Sequence, residues 1–346
     1  MTKNNVTNIL NEPEIRRNKR LVDETIQRLL PDEHSIKEIH LLYQMMKDYP
    51  SRPAKSLRSS VCLLTCEAYG GTIEKALITA SSLDLFQNWI LIHDDVEDQS
   101  ELRRGGPALH HKYTVPLAIN AGDALHGKMW SFLYNNRNIL DNETTLLVIN
   151  EFLNMINETT EGQHMELSWV HENQWNIKQD DYFTMCKKKT SWYTCITPCR
   201  LGNLIATNTA LKKNNFVNFG EDLGIAFQIR DDILNLVAGT KYGKESAGDL
   251  VEGKRTLILI HLLELASTKD RETVEHILSG DRKIREQNYK TILELIHKYD
   301  SLKFATEMAD KFSLSALTEF DNIFDQLPEN RAMLFIFENE DYLNFF

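Results

Sequence analysis

The chain has 346 residues, 42% of them apolar, which is enough for a sizeable core in one large domain or two ordinary ones. A net charge of −11 argues against nucleic acid as a main partner. The polar start of the chain lacks an apolar signal core, and no apolar run approaches the ~20 residues of a membrane span, so a cytoplasmic protein is expected.

Residues 1–12 read as frayed, and 13–346 as a single all-α domain, because apolar positions recur at a helical period almost throughout. Leu21, Ile26, Leu29 and Leu30 mark a first helix that Pro31-Asp32-Glu33 ends. After the turn Tyr49-Pro50-Ser51-Arg52-Pro53, Lys55 and Arg58 stand three apart near a helix start, where amides and the helix dipole favour anions. Beyond Gly70-Gly71, a core-like helix through Leu77, Ile78, Leu83 and Leu85 turns abruptly acidic at Asp94-Asp95-Val96-Glu97-Asp98. Gln87, Asp94 and Asp98 fall on one stripe of that helix. Gly105-Gly106-Pro107 then ends the helix and leaves Arg103 and Arg104 on a turn beside the carboxylates.

Leu146, Leu147, Ile149, Phe152 and Ile156 mark another helix, followed by Lys187-Lys188-Lys189-Thr190. Three consecutive lysines cannot all face one site, so at least one is expected in solvent. A second apolar run, Leu223 to Arg230, turns acidic at Asp231-Asp232-Ile233-Leu234-Asn235. Gly239 through Arg255 carries Lys244 and Lys254 on a Gly-punctuated stretch long enough to fold over a ligand. Helical periodicity resumes at Leu257, Ile258, Ile260, Leu262 and Leu263. No alternating strand and no Gly-rich phosphate loop is read. Cys62, Cys66, Cys186, Cys195 and Cys199 include two pairs at i, i+4 rather than zinc-type spacing, and read as reduced, buried thiols.

Carboxylates crowded on one helical turn repel each other, and this chain accepts that twice. Divalent magnesium removes the conflict, since it takes one or two carboxylates plus substrate phosphates. The reading is two acidic helix faces gripping a magnesium–diphosphate. The basic residues exceed what one such group needs, and arginine forks suit phosphate. Two diphosphates are therefore expected, one held through metal and one by Lys and Arg.

The chain resembles the trans-isoprenyl diphosphate synthases over residues of about 50–265. The resemblance rests on Asp94-Asp95-x-x-Asp98 followed by Arg103-Arg104-Gly105, on Gly162-Gln163, on Lys189-Thr190, and on Phe227-Gln228-Ile229-Arg230-Asp231-Asp232, in that order. It implies an all-α helical bundle around a deep central cavity, and a homodimer. It also implies two to three magnesium ions on Asp94, Asp95, Asp98 and Asp231, with Asp232 assisting. Arg103, Lys189, Lys244 and Lys254 would hold an allylic diphosphate (dimethylallyl, geranyl or farnesyl), and Lys55, Arg58, Gln87 and Arg104 isopentenyl diphosphate. Lys189, Thr190 and Gln228 would serve the chemistry, which is ionisation, condensation and elimination with no side-chain nucleophile. The chain departs from the family pattern at Asn235, Ala54 and Glu166, and its last residues lack a basic ending.

Product length should be set one to two turns before Asp94. Trp89 would lie roughly 7–8 Å below it at the helical rise, with Ile90 adjacent. One aromatic there resembles C20 synthases, so geranylgeranyl diphosphate is the expected product, with the C15 farnesyl product as the alternative. A class I terpene cyclase would need a different second metal motif. A non-catalytic subunit should have eroded acidic turns, and both turns are intact here.

Overall fold

A computed structural model describes residues 13–237, 247–324 and 327. The regular elements are α1 (Pro13–Leu29), α2 (Lys37–Asp48), α3 (Leu57–Ala68), α4 (Ile73–Glu97), β1 (Leu102–Arg103), β2 (Gly106–Pro107), α5 (Leu109–Lys112), α6 (Val115–Asn135), α7 (Asn142–His171) and α8 (Gln179–Cys186). A π-helical segment (Lys187–Ile196) follows, then α9 (Thr197–Thr207), α10 (Val217–Val237), α11 (Gly248–Glu252), α12 (Leu257–Leu265), α13 (Thr268–Leu278), α14 (Arg282–Lys298) and α15 (Ser301–Phe324). The all-α class expected from the periodicity is the class observed. The expected fraying of residues 1–12 lies outside the described residues, as do Lys244 and the carboxyl-terminal ending.

The described residues group into two compact units. The first takes 13–155, 193–217 and 320–324. Its centre is α4, which buries Leu83, Leu85, Phe86 and Ile92 and so is apolar around most of its girth. Helices α3 and α9 pack at close range because Gly202 lacks a side chain: a Cβ there would stand 2.7 Å from the Thr65 Cβ and 2.8 Å from the Cys66 nitrogen. All five cysteines of the chain are free and buried. Burial pushes the Cys199 thiol up to about 12, so it stays protonated at neutral pH.

The second unit takes 156–192 and 218–319. Its core gathers Ile229 and Ile233 of α10, Leu257, Leu259 and Leu262 of α12, and Ile292 and Ile296 of α14. Side chains cap its helices in sequence. Thr256 accepts from the Leu259 amide, Ser267 from that of Asp270, and Asp281 from that of Ile284. Among the described residues no helix is long and apolar enough to cross a membrane.

Candidate active site

In the first unit the acidic turn forms the last turn of α4. Four carboxylates there face the negative end of the helix dipole, an arrangement unfavourable unless cations offset it. One cation is supplied by a feature the sequence reading did not anticipate. Residues 102–107 form a β-hairpin with Leu102 paired to Pro107 and Arg103 to Gly106. Its two-residue turn is Arg104-Gly105, with φ of 50° and 76°, the left-handed pair that a tight hairpin requires. Strand pairing turns Arg103 back onto the acidic turn and leaves Arg104 at the tip.

Asp95 is wholly buried. Its Oδ2 accepts from the Tyr49 hydroxyl at 2.5 Å and from Arg103 Nε at 3.1 Å, and its Oδ1 accepts from both Nε and Nη2 of Arg103. The same Nη2 reaches Asp94 Oδ2 at 3.3 Å. Burial alone would lower the Arg103 guanidinium, but Asp95 and Asp94 overcome it and hold the group charged. Asp94 and Asp98 are only half-buried, so the first and last aspartates face outward while the middle one is enclosed.

Arg104 donates to the Tyr49 carbonyl at 2.9 Å and to Asn88 Oδ1 at 3.0 Å. Burial pulls its guanidinium down to about 10; Asp84 opposes this, and Arg103, Arg58 and Arg52 reinforce it. Four arginines thus crowd one region, as an anion site requires. Arg52 braces the hairpin from below, donating to the carbonyls of Arg103 (2.6 Å) and Pro107 (2.8 Å) and pairing with Asp48. An open groove of about 1040 Å³ beside the hairpin is lined by the cations Lys47, Arg52, Arg104 and Lys112 and by the acids Asp32, Glu33 and Asp48.

Arg58 is buried, donates to Thr194 at 3.0 Å, and lies 4.2 Å over the Tyr193 ring. Lys55 is half-buried just before α3, and Gln87 is half-buried on α4. Burial raises the Asp84 carboxyl above its ordinary value, with the Ser56 and Ser59 hydroxyls, Arg104 and Arg58 opposing. The sequence reading passed over Asp84, although a lone acid within the Ser81–Ile92 core run was a visible signal.

Trp89 stacks flat on His126 of α6, with ring centroids 3.8 Å apart and 8° between planes. Trp130 Nε1 donates to His126 Nε2 at 2.8 Å. Ile90 is half-buried beside them. His126 was also missed, although His126 and Trp130 share one face of a helix at i, i+4.

In the second unit the wide turns of the π-helical segment present Lys189 and Thr190. Such turns are rare and concentrate at functional positions. Each lysine of the triplet has its own carboxylate: Lys187 pairs with Glu221, Lys188 with Glu158 and Glu161, and Lys189 with Glu166. Lys187 is the most exposed of the three. Gly162 lets this segment approach α7, since a Cβ at that position would lie 2.7 Å from the Lys189 Cα.

A directed chain of hydrogen bonds runs from Thr190 through α10. The Thr190 hydroxyl donates to Gln228 Oε1 (2.7 Å), and Gln228 Nε2 donates to Asp232 Oδ1 (2.9 Å). The buried Tyr182 hydroxyl donates to Asp232 Oδ2 (2.7 Å). Burial raises the Asp232 carboxyl, with Gln228 and Tyr182 opposing and Asp231 and Glu166 adding to the rise. Asp231 is half-buried, so the first aspartate again faces outward. Asn235 accepts from the Asp249 amide at 3.1 Å, which ties the start of α11 to α10. Lys254 pairs with Glu252 at 2.8 Å and lies 3.9 Å from Asp249.

Among the described residues no three acidic, His or Cys side chains form a ready-made metal cage. Half-exposed carboxylates are the kind of oxygen donor that suits magnesium, and each unit offers them separately, Asp94 and Asp98 in the first and Asp231 in the second.

The profile of the polyprenyl synthetase family matches residues 39–296. A geranylgeranyl diphosphate synthase from Sulfolobus acidocaldarius is 32% identical over 287 residues, spanning 83% of this chain and 86% of that relative. The crystal structure of a geranylgeranyl pyrophosphate synthetase from Pyrococcus horikoshii, 30% identical, matches with a TM-score of 0.81 over 95% of this chain and 97% of its own. A Corynebacterium glutamicum synthase solved with isoprenyl diphosphate and magnesium has the same fold at 23% identity, with a TM-score of 0.82 over 94% and 99% of the two chains. The chain belongs to the polyprenyl synthetase family.

Proposed function

We propose that this protein is a magnesium-dependent prenyltransferase that condenses isopentenyl diphosphate with an allylic diphosphate to give the C20 geranylgeranyl diphosphate. The observation that carries this reading is the acidic end of α4 braced against Arg103, with Arg104 set at the hairpin tip beside it. The names of the relatives support the C20 product.

Asp94 and Asp98 of the first unit would offer oxygen ligands to magnesium, and so would Asp231 of the second. Asp95 and Asp232, whose oxygens already accept hydrogen bonds, orient them. When bound, magnesium acts as a Lewis acid on the departing diphosphate. Arg103, Lys189, Lys244 and Lys254 are the residues that the family resemblance assigns to that diphosphate. Arg104, Arg58, Lys55 and Gln87 hold isopentenyl diphosphate, whose double bond attacks the allylic carbon. The fixed direction of the Thr190–Gln228 hydrogen bond leaves lone pairs of both groups for the developing allylic cation. The released diphosphate takes the proton. Exposed Val115, Leu117 and Ile119 of α6 and Leu146 and Leu153 of α7 leave apolar surface that a homodimer would cover.

Trp89, fixed by its stack on His126, is the floor for the growing chain. The Trp89→Ala variant, incubated with isopentenyl and farnesyl diphosphates, should shift its main product from C20 to C25 or longer. Sizing the dephosphorylated alcohols reads this directly. An unchanged C20 product would mean that Trp89 is ordinary packing and the floor lies elsewhere.

A further inference from the structure

Both acidic motifs share a device that their spacing does not reveal. In each, the second aspartate is buried and a buried tyrosine from a remote part of the chain donates its hydroxyl to it. Tyr49 donates to Asp95, and Tyr182 to Asp232. In each, a second donor takes the other oxygen, Arg103 in the first unit and Gln228 in the second. In each, the first aspartate stays half-exposed.

Tyr49 is the more elaborate of the two. Its hydroxyl also accepts from the Leu109 amide at 3.0 Å, which fixes the ring's tip between the acidic turn and the start of α5. Its carbonyl accepts from Arg104, and the Arg52 guanidinium lies 4.6 Å over its ring. A carboxylate gripped on both oxygens cannot rotate, and on a helix this fixes the turn that carries the preceding residue. The neighbouring aspartate is thereby presented at a constant angle, as a preorganised charge site demands.

We propose that Tyr49 and Tyr182 are positioning residues, each aiming the first aspartate of its motif at the metal–diphosphate by clamping the second. The inference rests on the prenyltransferase reading above. Tyr49→Phe and Tyr182→Phe keep the ring and remove the donor. Each should raise the magnesium concentration for half-maximal rate, and the KM for the allylic diphosphate, roughly tenfold, the loss expected for one hydrogen bond to a charged group. The KM for isopentenyl diphosphate should stay within about twofold in both.

A double-mutant cycle separates positioning from general packing. If Tyr49 acts through Asp95, then Tyr49→Phe combined with Asp95→Asn should be no worse than the worse single variant. Additive losses, or a fall in Tm with both KM values and the magnesium dependence unchanged, would overturn the proposal. Should Tyr49→Phe fail to fold, Asp95→Asn alone still decides, because an unchanged allylic KM in it would remove the basis for the clamp. A wild-type protein that elongates no primer would instead sink the prenyltransferase reading itself, a separate outcome.

Discussion

Replacing Asp94 by Asn should lower kcat by roughly 10³ while leaving the protein folded. Asp94 stands in the last turn of α4, where the helix dipole and the neighbouring carboxylates disfavour its charge. Neutralising it relieves that repulsion and gives up the 3.3 Å pair with Arg103 Nη2, opposing effects that leave stability within about 1 kcal/mol of the wild type. Arg103 keeps its bonds to Asp95, so the hairpin stays in place. On the proposed reading the variant loses a negative oxygen for magnesium, and Lewis-acid assistance to the leaving group is worth several kcal/mol, about a decade of rate per 1.36 kcal/mol. Steady-state kinetics over a magnesium series and a thermal melt check both halves. Full activity in a folded Asp94→Asn protein would remove Asp94 from the metal site.

The second large effect is expected at a residue with no functional group. A Cβ at Gly162 would overlap the Lys189 backbone, 2.7 Å from its Cα and 2.8 Å from its Cβ. Backbone cannot yield as a flexible side-chain tip can, so Gly162→Ala must push the π-helical segment away from α7. Overpacking of this kind costs about 1–3 kcal/mol. The segment carries Lys189 and Thr190, and the displacement breaks the Thr190–Gln228 hydrogen bond. A misplacement of about 1 Å can lower a rate by about 10². The variant should melt several degrees lower and lose roughly 10² in kcat. Wild-type kcat with a lowered Tm would mean that the close approach serves stability alone.

Much of this was legible in the chain. The 3.6-residue period placed the long helices because tertiary packing and local patterning agree there. The acidic turns were visible because each interrupts an apolar run. The hairpin at 102–107 was hidden, since a two-residue strand is too short to show alternation and Gly105-Gly106-Pro107 reads as a helix stop. The π-helical segment was hidden for a different reason. Its wide turns go with close contacts that Gly162 and Gly224 make to Lys189 and Ser191, remote in sequence. Tyr49 and Tyr182 lie 46 and 50 residues before their aspartates, and no local spacing links them. The division between outward and enclosed aspartates is likewise a property of burial, which DDxxD spacing does not encode.

The most direct test is the product of the wild-type protein. It should be incubated with isopentenyl diphosphate and dimethylallyl, geranyl or farnesyl diphosphate in turn, with magnesium or with excess chelator, and the dephosphorylated alcohols sized. The account predicts a linear C20 alcohol from every primer it accepts, and none once the metal is removed. A cyclic product, or no elongation of any primer with magnesium present, would contradict it.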